Sequence, residues 1–145
     1  MDLAKYIRDV PDFPKKGIVF KDIMPLVADA AAFREAVRLM CDPWRSRGVT
    51  DVVAVEARGF IFGGAVAIEL GAGFAALRKK GKLPYKTRSV TYELEYGTDT
   101  LFIHEDAIAP GDKVLLVDDL LATGGTMAGA AELVRELGGT LVGFS

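Results

Sequence analysis

Thiol, imidazole and indole groups are almost absent from these 145 residues, which contain one cysteine, one histidine and one tryptophan. A lone Cys41 excludes an internal disulfide framework and a Cys-rich zinc site. It fits a reducing compartment, and a cytoplasmic location is expected. His104, at the end of a candidate hairpin strand, has no Ser/His/Asp or metal-ligating constellation around it and reads as structural or exposed. No apolar run approaches the roughly 20 residues of a membrane span. The opening Met-Asp-Leu-Ala-Lys-Tyr-Ile-Arg-Asp reads as a charged helix start rather than a signal peptide. An excess of one charge is missing too. Eighteen basic against twenty acidic residues leave a net charge of −2, so no global attraction to nucleic acid or anionic membrane is expected. There is no internal repeat, low-complexity stretch or interdomain linker, and the Gly-Lys-Ser/Thr of a Walker A loop is absent.

What is present is an ordinary globular balance, 50% hydrophobic and 26% charged, in a length that suits one domain, residues 1–145. Residues 2–9 suggest a short helix closed near Pro11 and Pro14, and residues 15–24 a loop. Residues 30–46 carry Phe33, Val37, Met40 and Trp44 at helical spacing, with Pro43 expected to end or kink the helix near Asp42. Cys41 and Trp44 on that helix read as packing residues. Val52–Val55, Phe74–Leu77, Lys113–Val117 and Leu141–Phe144 read as strands. Phe60–Leu70 reads as a small-residue helix able to approach the sheet, and residues 125–137 as a second helix. Residues 89–96 alternate, with Val90, Tyr92, Leu94 and Tyr96 on one face, and pair with Leu101–His104 around Gly97. Strands alternating with helices predict an α/β fold, a parallel sheet with an inserted antiparallel ribbon.

Residues 114–126, Val-Leu-Leu-Val-Asp-Asp-Leu-Leu-Ala-Thr-Gly-Gly-Thr, carry the most chemistry. A buried strand ends on Asp118 and Asp119, then turns through Ala122, Thr123, Gly124, Gly125 and Thr126 into a helix. Parallel sheets place ligands at the carboxyl ends of their strands. Two adjacent carboxylates repel and need donors, which the hydroxyls of a vicinal diol supply strongly. The glycines let backbone approach an anion, and the helix start adds N–H groups and a positive dipole end. A ribose 5-phosphate satisfies both halves.

This run resembles the phosphoribosyl pyrophosphate (PRPP) motif of the type I phosphoribosyltransferases. Further segments are similar to the adenine phosphoribosyltransferase family over nearly the whole chain. The resemblance implies a central, mainly parallel sheet flanked by helices, with an antiparallel catalytic-loop ribbon, a core at about 30–145 and a base-binding segment at about 1–29. Family members run a few dozen residues past the position of Ser145, so the C-terminal end is expected to be truncated.

Val55-Glu56-Ala57-Arg58-Gly59-Phe60 reads either as a surface ion pair and helix start or as an anion contact. The resemblance makes it the loop that holds pyrophosphate, with Arg58 as contact. Residues 78–88 hold six basic side chains in eleven, by themselves a solvated loop or weak nucleic-acid patch. The resemblance makes Arg78, Lys79 and Lys82 pyrophosphate-binding candidates, one of the first two reaching across a dimer interface. Tyr92-Glu93-Leu94-Glu95-Tyr96-Gly97 reads as a hairpin end with two acids on one face. The resemblance implies that Glu95 handles a proton near purine N7 and that Glu93 is solvated. Val19, Phe20 and Lys21 look by themselves like core and surface; the resemblance makes them adenine-binding, with Phe20 stacking on the base.

Taken together, adenine and PRPP are expected to give AMP and pyrophosphate, with Glu95, Arg58 and Asp119 as the catalytic residues. Mg²⁺ is the expected cofactor, held through substrate oxygens and not directly by protein side chains. A homodimer is expected, without nucleic-acid or membrane partners. Two alternatives stay open: the same reaction on another purine base, and a PRPP-binding regulator of the same fold.

Overall fold

The computed structural model describes residues 1–145. The chain divides into two compact units, Met1–Met40 and Cys41–Ser145. In the first, strands β1 (Arg8–Pro11) and β2 (Val19–Asp22) pair antiparallel and are followed by helices α1 (Met24–Ala28) and α2 (Ala30–Cys41). The helix expected over residues 2–9 is only a single tight turn, Leu3–Tyr6. So short a segment does not offset the cost of helix nucleation, and ion pairs across the two strands, Arg8–Asp22 and Lys21–Asp9, both at 2.5 Å, hold the extended form. The loop expected at 15–24 therefore contains β2 and the start of α1. Asp29 caps α2 by accepting the Ala31 and Ala32 N–H groups. The helix gives way to a tight turn at Asp42–Trp44, as Pro43 requires.

The second unit holds β3 (Asp51–Val55), α3 (Arg58–Leu70), β4 (Gly73–Leu77), β5 (Thr87–Glu93), β6 (Thr98–His104), β7 (Lys113–Val117), α4 (Gly125–Glu136) and β8 (Thr140–Phe144). Four strands form a parallel sheet in the order β4-β3-β7-β8. The central pair, β3 and β7, is built from continuous aliphatic runs, and Val52–Val55 and Val114–Val117 are buried throughout, as strands covered on both faces must be. α3 packs on β3 and β4, and α4 on β7, β8 and β5. The ribbon β5–β6 is antiparallel and joins the end of β4 through backbone hydrogen bonds between Arg78 and Phe102. The expected α/β architecture is therefore present.

The ribbon departs from expectation at its tip. Alternation holds through Val90 and Tyr92, both buried, but Leu94 and Tyr96 are exposed. The Leu94 N–H bonds the Gly97 carbonyl at 2.9 Å, and Gly97 takes a positive φ of 87°, so a turn replaces the strand after Glu93. Glu95 thus sits on a turn rather than on a strand face.

Close approach of α3 to the sheet depends on Gly63. A Cβ there would lie 2.5 Å from the Ala54 Cβ and 3.0 Å from the Phe74 ring. Gly63→Ala is expected to cost about 1–3 kcal/mol through overpacking, read as a lower midpoint in thermal denaturation. An unchanged midpoint would mean that α3 is not seated this tightly.

Candidate functional site

Parallel pairing of β3 and β7, with Ala54 opposite Val117, opens both strands' carboxyl ends onto one rim. β7 passes into Asp118 and Asp119, and β3 into Glu56, Ala57 and Arg58, with a cis peptide between Glu56 and Ala57. The Arg58 guanidinium forms an ion pair with Asp119, Nε to Oδ2 at 2.9 Å, and that carboxylate is only 7% exposed. Asp118 Oδ1 accepts the Asp119 N–H at 2.9 Å. Burial, with the neighbouring Asp119 adding to it, pushes the Asp118 carboxyl up to about 6. One acid of the pair is thus matched by a cation, and the other is short of donors.

The segment after the acids closes the same cavity. Gly124 adopts a positive φ of 86° and immediately precedes α4. No side chain caps this helix and its first turn carries no acid, so its first N–H groups remain available to an anion. Gly125 N–H has only a long 3.4 Å contact to Thr123 Oγ1. A Cβ on Gly125 would meet the Glu93 carbonyl oxygen at 2.6 Å, so the loop lies directly against the end of β5. The cavity has a volume of about 620 Å³, and Arg58, Glu95, Asp118, Asp119, Thr123 and Thr126 share its wall. Ala122 and Gly124 line it as well.

Arg78, Lys79 and Lys82 are not in that wall; they follow β4, one strand further along. Glu56 links the two places. Its carboxylate accepts the Lys79 N–H at 2.6 Å and faces the Arg78 Nε at 3.4 Å. The Arg78 guanidinium also lies 6.0 Å from the centre of the Phe60 ring. The Lys79 ammonium is paired with Asp99 and bonds the Tyr92 hydroxyl at 3.3 Å. Burial alone would lower this lysine, but the bonds to Asp99 and Tyr92 outweigh it and raise it, while the same ion pair lowers Asp99. Lys82 is exposed in the loop. Val19, Phe20 and Lys21 lie in the first unit, where Phe13 meets the Phe20 ring edge-on at 5.1 Å and Lys21 pairs with Asp9.

Sequence reasoning missed the linking role of Glu56 and the pair Leu120 and Leu121. Both leucines line the cavity, and they are 59% and 71% exposed. Two large apolar side chains inside an otherwise polar loop were the available signal. Asp99 was missed as well, since nothing local marks it.

Comparison with known proteins places this geometry among relatives. A family model described as "Phosphoribosyl transferase domain" matches residues 34–145. The adenine phosphoribosyltransferase of Solidesulfovibrio magneticus is 56% identical over 99% of this chain and 84% of its own length. That of Thermotoga neapolitana is 60% identical over 96% of this chain and 82% of its own. The crystal structure of the Rhodothermus marinus adenine phosphoribosyltransferase matches at 50% identity and a TM-score of 0.94, over 99% of this chain and 81% of that one. The Saccharomyces cerevisiae enzyme, crystallised with D-2,5-dideoxy-2,5-imino-altritol 1,6-bisphosphate and adenine, matches at 36% identity and 0.89, over 99% and 87%.

Two outcomes are expected from the acid pair. The folded chain holds the Asp118 proton more tightly than the unfolded chain, so ionisation opposes folding progressively from pH 3.8 and fully above about pH 6. Asp118→Asn should therefore raise the melting midpoint at pH 8, and the gain should vanish below pH 4. An equal gain at both pH values would remove the titration of Asp118 as its cause. Gly59→Ala puts a Cβ 2.8 Å from Asp118 Oδ1. The Asp118 carboxylate must then shift, and the melting midpoint at pH 8 should fall by the equivalent of about 1 kcal/mol or more; an unchanged midpoint would mean that the side chain moves aside freely.

Proposed function

The chain belongs to the adenine phosphoribosyltransferases, the purine-salvage enzymes that make AMP and pyrophosphate from adenine and PRPP, and we propose that its residues divide the reaction as follows. Asp118 and Asp119 accept hydrogen bonds from the ribose hydroxyls. Ala122 to Thr126 and the start of α4 hold the 5′-phosphate. The observation that carries this reading is the juxtaposition of a half-buried acid pair, one member braced by Arg58, with an uncapped helix start in one cavity.

Pyrophosphate is assigned to Arg58, with Arg78, Lys79 and Lys82 around it. Cationic donors at this position stabilise the charge that builds on the leaving group as the bond to ribose C1 lengthens. Glu95 is assigned to the base, where it accepts a proton near purine N7 during AMP formation and returns it in the reverse direction. Val19, Phe20 and Lys21 are assigned to adenine, Phe20 as a stacking surface. Exposed Leu120 and Leu121 add an apolar wall beside the acids. Closure of the basic loop and the ribbon tip would exclude water, which otherwise hydrolyses PRPP.

Mg²⁺ fits as an ion carried by the substrate. Asp119 is already braced by Arg58 and no third carboxylate joins the acid pair, so substrate oxygens, rather than protein side chains, would hold the ion. When bound, it neutralises phosphate charge. Homodimerisation and a cytoplasmic location are proposed on family membership.

Asp119→Asn should lower turnover by about two orders of magnitude or more while the melting curve stays cooperative, since it removes the charge that braces Arg58 and that strengthens the bonds from the ribose hydroxyls. Retention of wild-type turnover would overturn the ribose assignment. Labelled adenine should yield nucleotide in the presence of PRPP and Mg²⁺, and hypoxanthine and guanine should not. Backbone donors and acceptors that match adenine's amino group leave a carbonyl unpaired.

A further inference from the structure

Tyr92 and Asp99 face each other across β5 and β6, directly below the turn that carries Glu95. Lys79, from the segment after β4, reaches both. Its ammonium pairs with Asp99 Oδ2, bonds the Tyr92 hydroxyl at 3.3 Å and lies 5.9 Å from the centre of the Tyr92 ring. The Asp99 carboxylate is fixed from its own side, because Oδ1 accepts the Thr100 N–H at 2.8 Å. Lys79 is fixed at its backbone by Glu56, a residue of the cavity wall. The lysine is therefore anchored beside the substrate cavity while its charge is held on the ribbon. Lys79 and Asp99 side chains are 40% and 34% exposed, so an incoming polyanion can reach the pair.

We propose that Asp99, aided by Tyr92, is a positioning residue that competes with pyrophosphate for the Lys79 ammonium. The proposal rests on the assignment of Lys79 to pyrophosphate. An ammonium bound to a carboxylate has one charge to share, and every contact it makes with pyrophosphate is made against that pair. Asp99 thereby loosens pyrophosphate, which favours its departure as product, and the ribbon loses one tie to the basic loop whenever pyrophosphate is held.

The test is steady-state kinetics in both directions on Asp99→Asn, Lys79→Gln and the double variant, with melting curves for each. Asp99→Asn is expected to lower KM for pyrophosphate by about twofold to fivefold, the range of a partly exposed ion pair. Asp99→Glu should restore the wild-type value. Lys79→Gln should raise KM for pyrophosphate, and adding Asp99→Asn to it should change nothing further. If Lys79→Gln raises KM while Asp99→Asn leaves it unchanged or raises it too, the competition is overturned and the Lys79 assignment stands. If Lys79→Gln leaves KM unchanged, that assignment fails and the proposal with it. Should Asp99→Asn not fold, Tyr92→Phe removes only the hydroxyl and is expected to lower KM in the same direction by less; no change in that variant would overturn the proposal.

Discussion

Two adjacent carboxylates at the end of a buried strand are the constraint from which the site is built. Asp118 and Asp119 cannot both be charged and isolated beside the closed core of β7. Arg58 answers half of the problem by bracing Asp119. The other half is left open, and burial lifts the Asp118 carboxyl to about 6. On the proposed assignment, a ligand with neighbouring hydroxyls relieves that deficit, and the residue that weakens the free fold is the one that strengthens the bound state. Gly59 belongs to the same arrangement, because a Cβ there would press within 2.8 Å of Asp118 Oδ1.

The surrounding elements keep this rim in register. Parallel pairing of β3 with β7 sets Arg58 beside Asp119, and Gly63 lets α3 lie close enough to the sheet to hold it there. Glu56 carries the arrangement to the next strand end by fixing the Lys79 backbone and facing Arg78. Gly125 carries it to the ribbon by lying against Glu93. The glycine-bearing loop at 122–126, the acid pair, the arginine loop and the ribbon tip are thus joined by short polar contacts or backbone approaches around one cavity.

Much of this was legible in the sequence, for local reasons. Continuous aliphatic runs such as Val114–Val117 identify buried strands, and the acids, threonines and glycines after them mark the strand end that opens on the cavity. Pro43 marks the end of its helix. The N-terminal strands were not legible, because Arg8–Asp22 and Lys21–Asp9 are cross-strand pairs that no window of a few residues contains. The ribbon tip misled because Leu94 and Tyr96 continue an apolar alternation that Gly97 breaks by turning the chain. Glu56, Leu120 and Asp99 were passed over for a common reason: their roles depend on partners or a cavity assembled by separate segments. The basic run at 78–88 showed its charge in the sequence but not that Lys79 is already engaged.

The central physical claim is that the acid pair holds the ribose hydroxyls, and sugar discrimination tests it most directly. Affinities for ribose 5-phosphate and 2-deoxyribose 5-phosphate would be measured by calorimetry for the wild-type chain and for a variant combining Asp118→Asn with Asp119→Asn. The expected result is a wild-type preference for the ribose sugar of about tenfold or more, shrinking to about threefold once both charges are gone, as charge-assisted hydrogen bonds become neutral ones. A preference of equal size in both proteins would contradict the claim and move the hydroxyl contacts to other residues.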